Sequence, residues 1–115
     1  MLRNGHNRVH TKRSANSAVF AALADETRLR LIGKLSIGRS SSIAQLTAGS
    51  KLTRQAITKH LRVLQNAGIV RCSRKGRESL FEFDPRPIED IKDYLNVVSE
   101  QWDRALARLK SFVEE

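Results

Sequence analysis

Read for the spacing of apolar positions, the chain divides into short amphipathic segments separated by turn residues. The clearest is "KLTRQAITKHLRVLQNAGIV", residues 51–70. Stepping about 100° per residue from Arg54, the side chains of Arg54, Gln65, Thr58, Arg62, Gln55, Asn66 and Lys59 fall within an arc of roughly 140°. Ala56, Ile57, Leu61, Val63 and Leu64, with His60 among them, fill the remainder. Thr53 is a good N-cap just before this pattern, and Gly68 is placed to take the left-handed conformation that closes a helix. The pattern predicts a helix from about Arg54 to Asn66, buried on one side and polar on the other.

The flanking segments read in the same way. "ANSAVFAAL" predicts a short apolar helix over 15–23, and Asp25 caps a second, "ETRLRLIGKLS", with Leu29, Ile32 and Leu35 inward. Ser42 stands three residues before Gln45, a capping-box spacing, and starts a third short helix that ends near Ala48 and Gly49. Helix, tight turn and helix make a helix-turn-helix, whose second member enters the DNA major groove. After Gly68, "IVRCSRKG" and "RESLFEFD" are β-type runs that predict a hairpin with a basic tip. Pro85 and Pro87 stop the hairpin and open a last helix. Along that helix Ile88, Ile91, Leu95, Val98, Trp102, Ala105, Leu109 and Phe112 recur at alternating spacings of three and four. This is a sustained 3.5-residue seam, longer than a small domain can cover, so part of it is expected to meet a second copy, the commonest oligomer being an isologous dimer.

Charge sharpens this picture because of where it lies. The chain of 115 residues carries a net charge of +9. Between Thr27 and Arg77 there are twelve Lys or Arg and no acid, whereas from Glu78 onward ten acids face five bases. Charge runs are usually solvated faces, but an acid-free stretch of this length that also carries packing patterns points to a polyanionic partner. A length of 115 residues suits a single modest core. No apolar run is long enough to span a membrane, and the basic N-terminus lacks an apolar stretch after it, so the expected compartment is the cytoplasm. The lone Cys72 has no disulfide partner within the chain.

Three strings, "FAALADETRLRLIGKL", "LTRQAITKHLRVLQNAGIV" and "RKGRESLFEF", resemble the winged helix-turn-helix repressors of the ArsR/SmtB type, over about residues 16–112. The resemblance implies a mainly α fold with a small β-hairpin, ordered α-α-α-α-β-β-α and dimeric. The expected division is a flexible basic arm over 1–13, a DNA-binding winged helix over 14–86 and a dimerisation helix over 87–115. In that family the first and last helices form the dimer, the recognition helix lies in the major groove and the wing contacts the minor groove or backbone. By position, Arg54, Gln55, Thr58 and Lys59 correspond to groove-reading residues, with Arg62 at their edge. Arg and Gln carry donor patterns suited to guanine and adenine edges. Ser42 and Thr53, at helix starts, and Arg74, Lys75 and Arg77 on the wing correspond to backbone contacts. Phe20, Ile91, Leu95, Val98, Trp102, Ala105 and Leu109 correspond to the dimer interface.

The resemblance breaks at the metal motifs. "SIAQLTAGS" holds no Cys or His, and residues 88–113 hold no His, so both usual metal sites look vacant and no cofactor is expected. His6 and His10 on the arm supply only two ligands, and Cys72 is expected as a small, partly buried strand residue. His60 is expected to pack and hydrogen-bond. The tail "QWDRALARLKSFVEE" resembles a subgroup without metal motifs that is often encoded beside a START-like ligand-binding protein. That implies an inducing signal, small molecule or protein, arriving indirectly or at a dimer-interface pocket near Trp102. The expected function is a homodimeric repressor of an inverted-repeat operator in double-stranded DNA, autoregulation included; the alternative is a winged helix serving general nucleic-acid binding or protein docking. Nothing points to an enzyme: there is no phosphate loop, no nucleophile with its base, and no paired carboxylates in an apolar setting.

Overall fold

The computed structural model describes residues 15–114; the basic arm, with His6 and His10, lies outside them. The elements are α1 (15–23), α2 (Glu26–Leu35), β1 (Ser41–Ser42), α3 (Ile43–Thr47), α4 (Arg54–Asn66), β2 (Val70–Lys75), β3 (Glu78–Phe83) and α5 (Arg86–Glu114). The core is the meeting place of their apolar faces. Ile57, Leu61 and Leu64 of α4 pack with Val19 and Ala22 of α1, Leu31 and Leu35 of α2, Leu46 of α3, Ile69, Val70 and Phe81 of the hairpin, and Ile91 of α5. Gly68, at φ 78°, ends the α4 turn, and Ile69 and Val70 then drop straight into the core.

The second helix is turned differently from the expectation. Leu31 and Leu35 are buried while Leu29 is 51% exposed. Arg28 sets this phase: its Nε donates to the Ala22 carbonyl at 2.7 Å and one Nη to the Ala21 carbonyl at 3.2 Å. The Ala22 bond satisfies a carbonyl at the end of α1, the Ala21 carbonyl also accepts from Ala24 N at 3.2 Å, and the two Arg28 bonds hold the Arg28–Leu31–Leu35 face inward.

The hairpin belongs to a three-stranded antiparallel sheet in the order β1-β3-β2. β1 is only two residues, Ser41 pairing with Phe81 and Ser42 with Leu80. A serine pair with no alternation and no branched side chains carries no strand signal, and pairing with β3 alone makes it one. β2 and β3 keep register from Val70–Phe83 to Lys75–Glu78. Only Val70 of β2 is buried, because beyond it the hairpin leaves the core. Cys72, expected to be partly buried, is therefore exposed.

The seam of α5 is divided. Ile91 is 4% exposed in the protomer's own core, so it is not available to a second copy as expected. Only the first turns of α5 reach the core; at 29 residues the helix runs on for roughly 43 Å at 1.5 Å per residue. Leu95, Trp102, Leu106, Leu109, Phe112 and Val113 lie exposed along it.

One buried charge pins the hairpin to α5. Asp84, 5% exposed, accepts from the Arg86 backbone N–H at 3.0 Å. Its two carboxylate oxygens also take Arg86 Nε at 3.0 Å and Nη2 at 2.7 Å. Arg71 Nε of β2 lies 3.9 Å from the same carboxylate. The Arg86 side-chain bonds, followed by its backbone N–H, hold the Asp84 carboxyl down to about 2 from an ordinary 3.8. A depressed carboxylate stabilises the fold above its unfolded pKa and loses that contribution as the pH falls through the folded value. The gap in urea midpoint between wild type and Asp84→Asn is therefore expected to be full above about pH 5 and to narrow between pH 4 and 2. A pH-independent gap would show that Asp84 acts through packing alone.

Candidate nucleic-acid interface

Three caps build the helix-turn-helix from its own sequence. Ser42 and Gln45 form the reciprocal capping box, Gln45 N donating to Ser42 Oγ at 3.2 Å and Ser42 N to Gln45 Oε1 at 2.9 Å. Gly49, at φ 75°, makes the turn that a residue with a Cβ would strain. Thr53 Oγ1 accepts from Ala56 N at 3.1 Å and starts α4. With the Ala56 donor capped, α4 is rotated by Ile57, Leu61 and Leu64, each 2% exposed or less.

That rotation turns Arg54, Gln55, Lys59 and Arg62 outward, all exposed, with Thr58 half-buried between them. The Thr58 hydroxyl donates back to the Arg54 carbonyl at 2.7 Å, leaving its oxygen lone pairs and methyl group to face outward. Val63, assigned by the wheel to the apolar arc, is 40% exposed at its edge. On the hairpin Arg74, Lys75 and Arg77 are exposed around the tip. Ser42 departs from the expectation: it is 8% exposed and its hydroxyl is the acceptor of the capping box, so a phosphate cannot reach it. Thr53, by contrast, is exposed while it caps.

His60 lies on the far side of α4 and joins a cluster under the interface. Arg28 Nη1 lies 3.3 Å from His60 Nδ1, and Asp25 Oδ2 lies 3.7 Å from the same nitrogen. Asp25 also caps α2, taking the Arg28 N–H at 3.0 Å. That backbone bond, ahead of the charges of Arg28 and His60, holds the Asp25 carboxyl below its usual value. The cluster links the ends of α1, α2 and α4, as the packing role expected for His60 requires. Its partners were not legible, because nothing in the spacing of Asp25, Arg28 and His60 brings the three together.

Among the described residues no group of three or more His, Cys, Asp or Glu could hold a metal ion. No described helix is long and apolar enough to cross a membrane. The face is chemically simple: guanidinium, ammonium and amide donors on a rigid helix, without a carboxylate from Thr27 to Arg77. It can donate to phosphates and base edges and has no nucleophile or acid–base pair.

Comparison with known proteins agrees with this geometry. A family model described as a helix-turn-helix domain matches residues 23–73. The HTH-type transcriptional regulator YuzN of Bacillus subtilis is 36% identical over 80 residues, which are 64% of this chain and 87% of that protein. The structure of an ArsR-like transcriptional regulator from Rhodococcus sp. RHA1 superposes with a TM-score of 0.79 at 33% identity, over 87% of this chain and 93% of that one. The chain belongs to the ArsR family of helix-turn-helix transcriptional regulators. Like other ArsR-family members it is a DNA-binding regulator and not an enzyme. The same fold occurs in the homodimeric winged helix-turn-helix DNA-binding domain of a possible ArsR-family regulator from Mycobacterium bovis. Its TM-score is 0.65 at 18% identity, over 82% of this chain and 86% of that one.

Because one hydroxyl starts α4, Thr53→Ala is expected to cost about 1 kcal/mol of stability in urea unfolding. It should also speed hydrogen exchange at the Ala56 amide. An unchanged Ala56 rate would show that tertiary packing alone fixes the start of α4.

Proposed function

We propose that this ArsR-family protein is a homodimeric repressor that occupies an inverted-repeat operator, its own promoter included, in the cytoplasm. The observation that carries the reading is the acid-free outer face of α4, set by a buried face on the same helix. Arg54, Gln55, Thr58 and Lys59 read base edges, with Arg62 at the margin. Thr53, Arg74, Lys75 and Arg77 hold the backbone, and the basic arm over 1–13 adds a further contact to it. Residues 14–86 act as the DNA-binding unit and 87–115 as the dimerisation helix.

The second copy is inferred from α5. Trp102, Leu109 and Phe112 are 65%, 59% and 78% exposed on one continuous helix, a cost in water that a partner's matching surface removes. Phe20 and Tyr94, in edge contact at 6.4 Å between ring centroids, extend this apolar surface towards α1. The interface therefore uses Phe20, Leu95, Val98, Trp102, Ala105 and Leu109 without Ile91. The Mycobacterium bovis domain of the same fold is homodimeric, which supports the reading. Two recognition helices then meet half-sites about 34 Å apart.

Fluorescence anisotropy on a duplex from upstream of its own gene is expected to show binding ~10³-fold or more tighter than to an unrelated duplex. Affinity should fall about 10³–10⁵-fold between 50 and 200 mM salt. Arg54→Ala or Gln55→Ala should cost ~1–3 kcal/mol and relax preference at one base position, whereas Lys75→Ala should weaken all sequences alike. Equal binding to both duplexes would demote the specific repressor to a general nucleic-acid binder. In sedimentation, the wild type is expected as a dimer and Trp102→Glu as a folded monomer; a monomeric wild type would remove the dimer from the proposal.

A further inference from the structure

We propose that the recess between α2, the turn before α4 and α4 itself binds a small organic carboxylate with an apolar body. The recess has a volume of about 440 Å³, within the roughly 300–1,000 Å³ usual for small-molecule sites. Its chemistry is two-sided. Leu31, Leu46 and Ile57, each 2% exposed, form an apolar floor, and Leu52 stands 37% exposed beside them. Arg30, Lys34 and Lys51 stand at the rim.

These cations are only partly committed. Glu26 accepts from one Arg30 Nη at 2.7 Å across an exposed pair, leaving the other guanidinium donors free for an anion. Lys34 Nζ donates to the Leu46 carbonyl at 3.3 Å, which uses one of its three protons and holds the ammonium over the floor. Lys51 makes no ion pair among the described residues. An ionised carboxylate meets this rim through charge-assisted hydrogen bonds, while its hydrocarbon part covers the exposed Leu52 side chain above the closed floor. A DNA phosphate shares the negative charge but has no apolar body to place against Leu52.

Position gives the site its consequence. Lys51 and Leu52 immediately precede the Thr53 cap, and Ile57 is one of the side chains that fix the rotation of α4. An occupant held against Lys51 and Leu52 biases where the recognition helix points. This regulatory consequence rests on the repressor reading above; the binding itself does not.

The test is an amide chemical-shift titration of the full chain with 1-naphthoate, beside the neutral 1-naphthalenemethanol at equal ionic strength. Saturable shifts at Gly49, Ser50 and Lys51 are expected, with the acid bound at least about tenfold more tightly than the alcohol. Arg30→Gln with Lys51→Gln should weaken the acid by about tenfold or more while leaving the rest of the spectrum in place. Equal affinity for acid and alcohol, or shifts confined to α5, would overturn the proposal. So would variants that weaken duplex binding alone and leave naphthoate binding unchanged, which would assign the rim to DNA phosphate. Shifts at the turn in a protein that fails the promoter test would uphold the site and remove only the repressor reading.

Discussion

The exposed basic side depends on one constraint: α4 must be a core helix and a surface helix at the same residues. Ile57, Leu61 and Leu64 are buried at spacings of four and three, so the helix cannot rotate without taking apolar surface out of the core. Each such side chain is worth roughly 1.5–3 kcal/mol of burial, so the three together outweigh any single contact on the polar side. The aim of Arg54, Gln55, Lys59 and Arg62 is therefore fixed by residues that never touch the solvent. A rigid, pre-aimed set of donors loses little entropy on binding.

The acid-free stretch places like charges close together, and the few acids near it sit where they hold elements in place. Asp25 caps α2 beside Arg28 and His60, Glu26 pairs with Arg30, and Asp84 gathers Arg71 and Arg86 at the root of the wing. Among the described residues the outer face of α4 and the tip of the wing keep their cations uncompensated, apart from Glu78 opposite Lys75. Free protein in low salt bears that mutual repulsion, and a polyanion relieves it.

Much of this was legible because it is local. A period of 3.6, a Thr cap, a Ser–x–x–Gln box and a glycine after Asn66 are each written within a few residues, and α4 occupies the span they predict. Errors arose where a distant contact decided between local choices. Leu29 and Leu31 are equally apolar, and only the reach of Arg28 to the carbonyls of α1 selects Leu31. Ile91 and Leu95 share one seam, and only the end of the core separates them. Ser42 looked like an anion contact from its position, but a strand and a cap had already buried it. The Asp84 clasp and the cationic recess were invisible for the same reason: each gathers residues from elements far apart in sequence, which periodicity does not report.

The double duty of Ser42 sets how this chain can tolerate changes in length. The residue is both the last of β1 and the cap of α3, so an edge strand of the sheet and the start of the helix-turn-helix share a residue. From there to Thr53 the path is fixed by a five-residue helix, one left-handed glycine and a second cap. One added residue in that span would misplace either a cap or the buried Leu46. The bend over 36–40, which carries no strand or helix, has no such double bookings. Natural relatives that differ in length through this half of the domain would accordingly gain or lose residues before Ser41, and keep the distance from Ser42 to Thr53 constant.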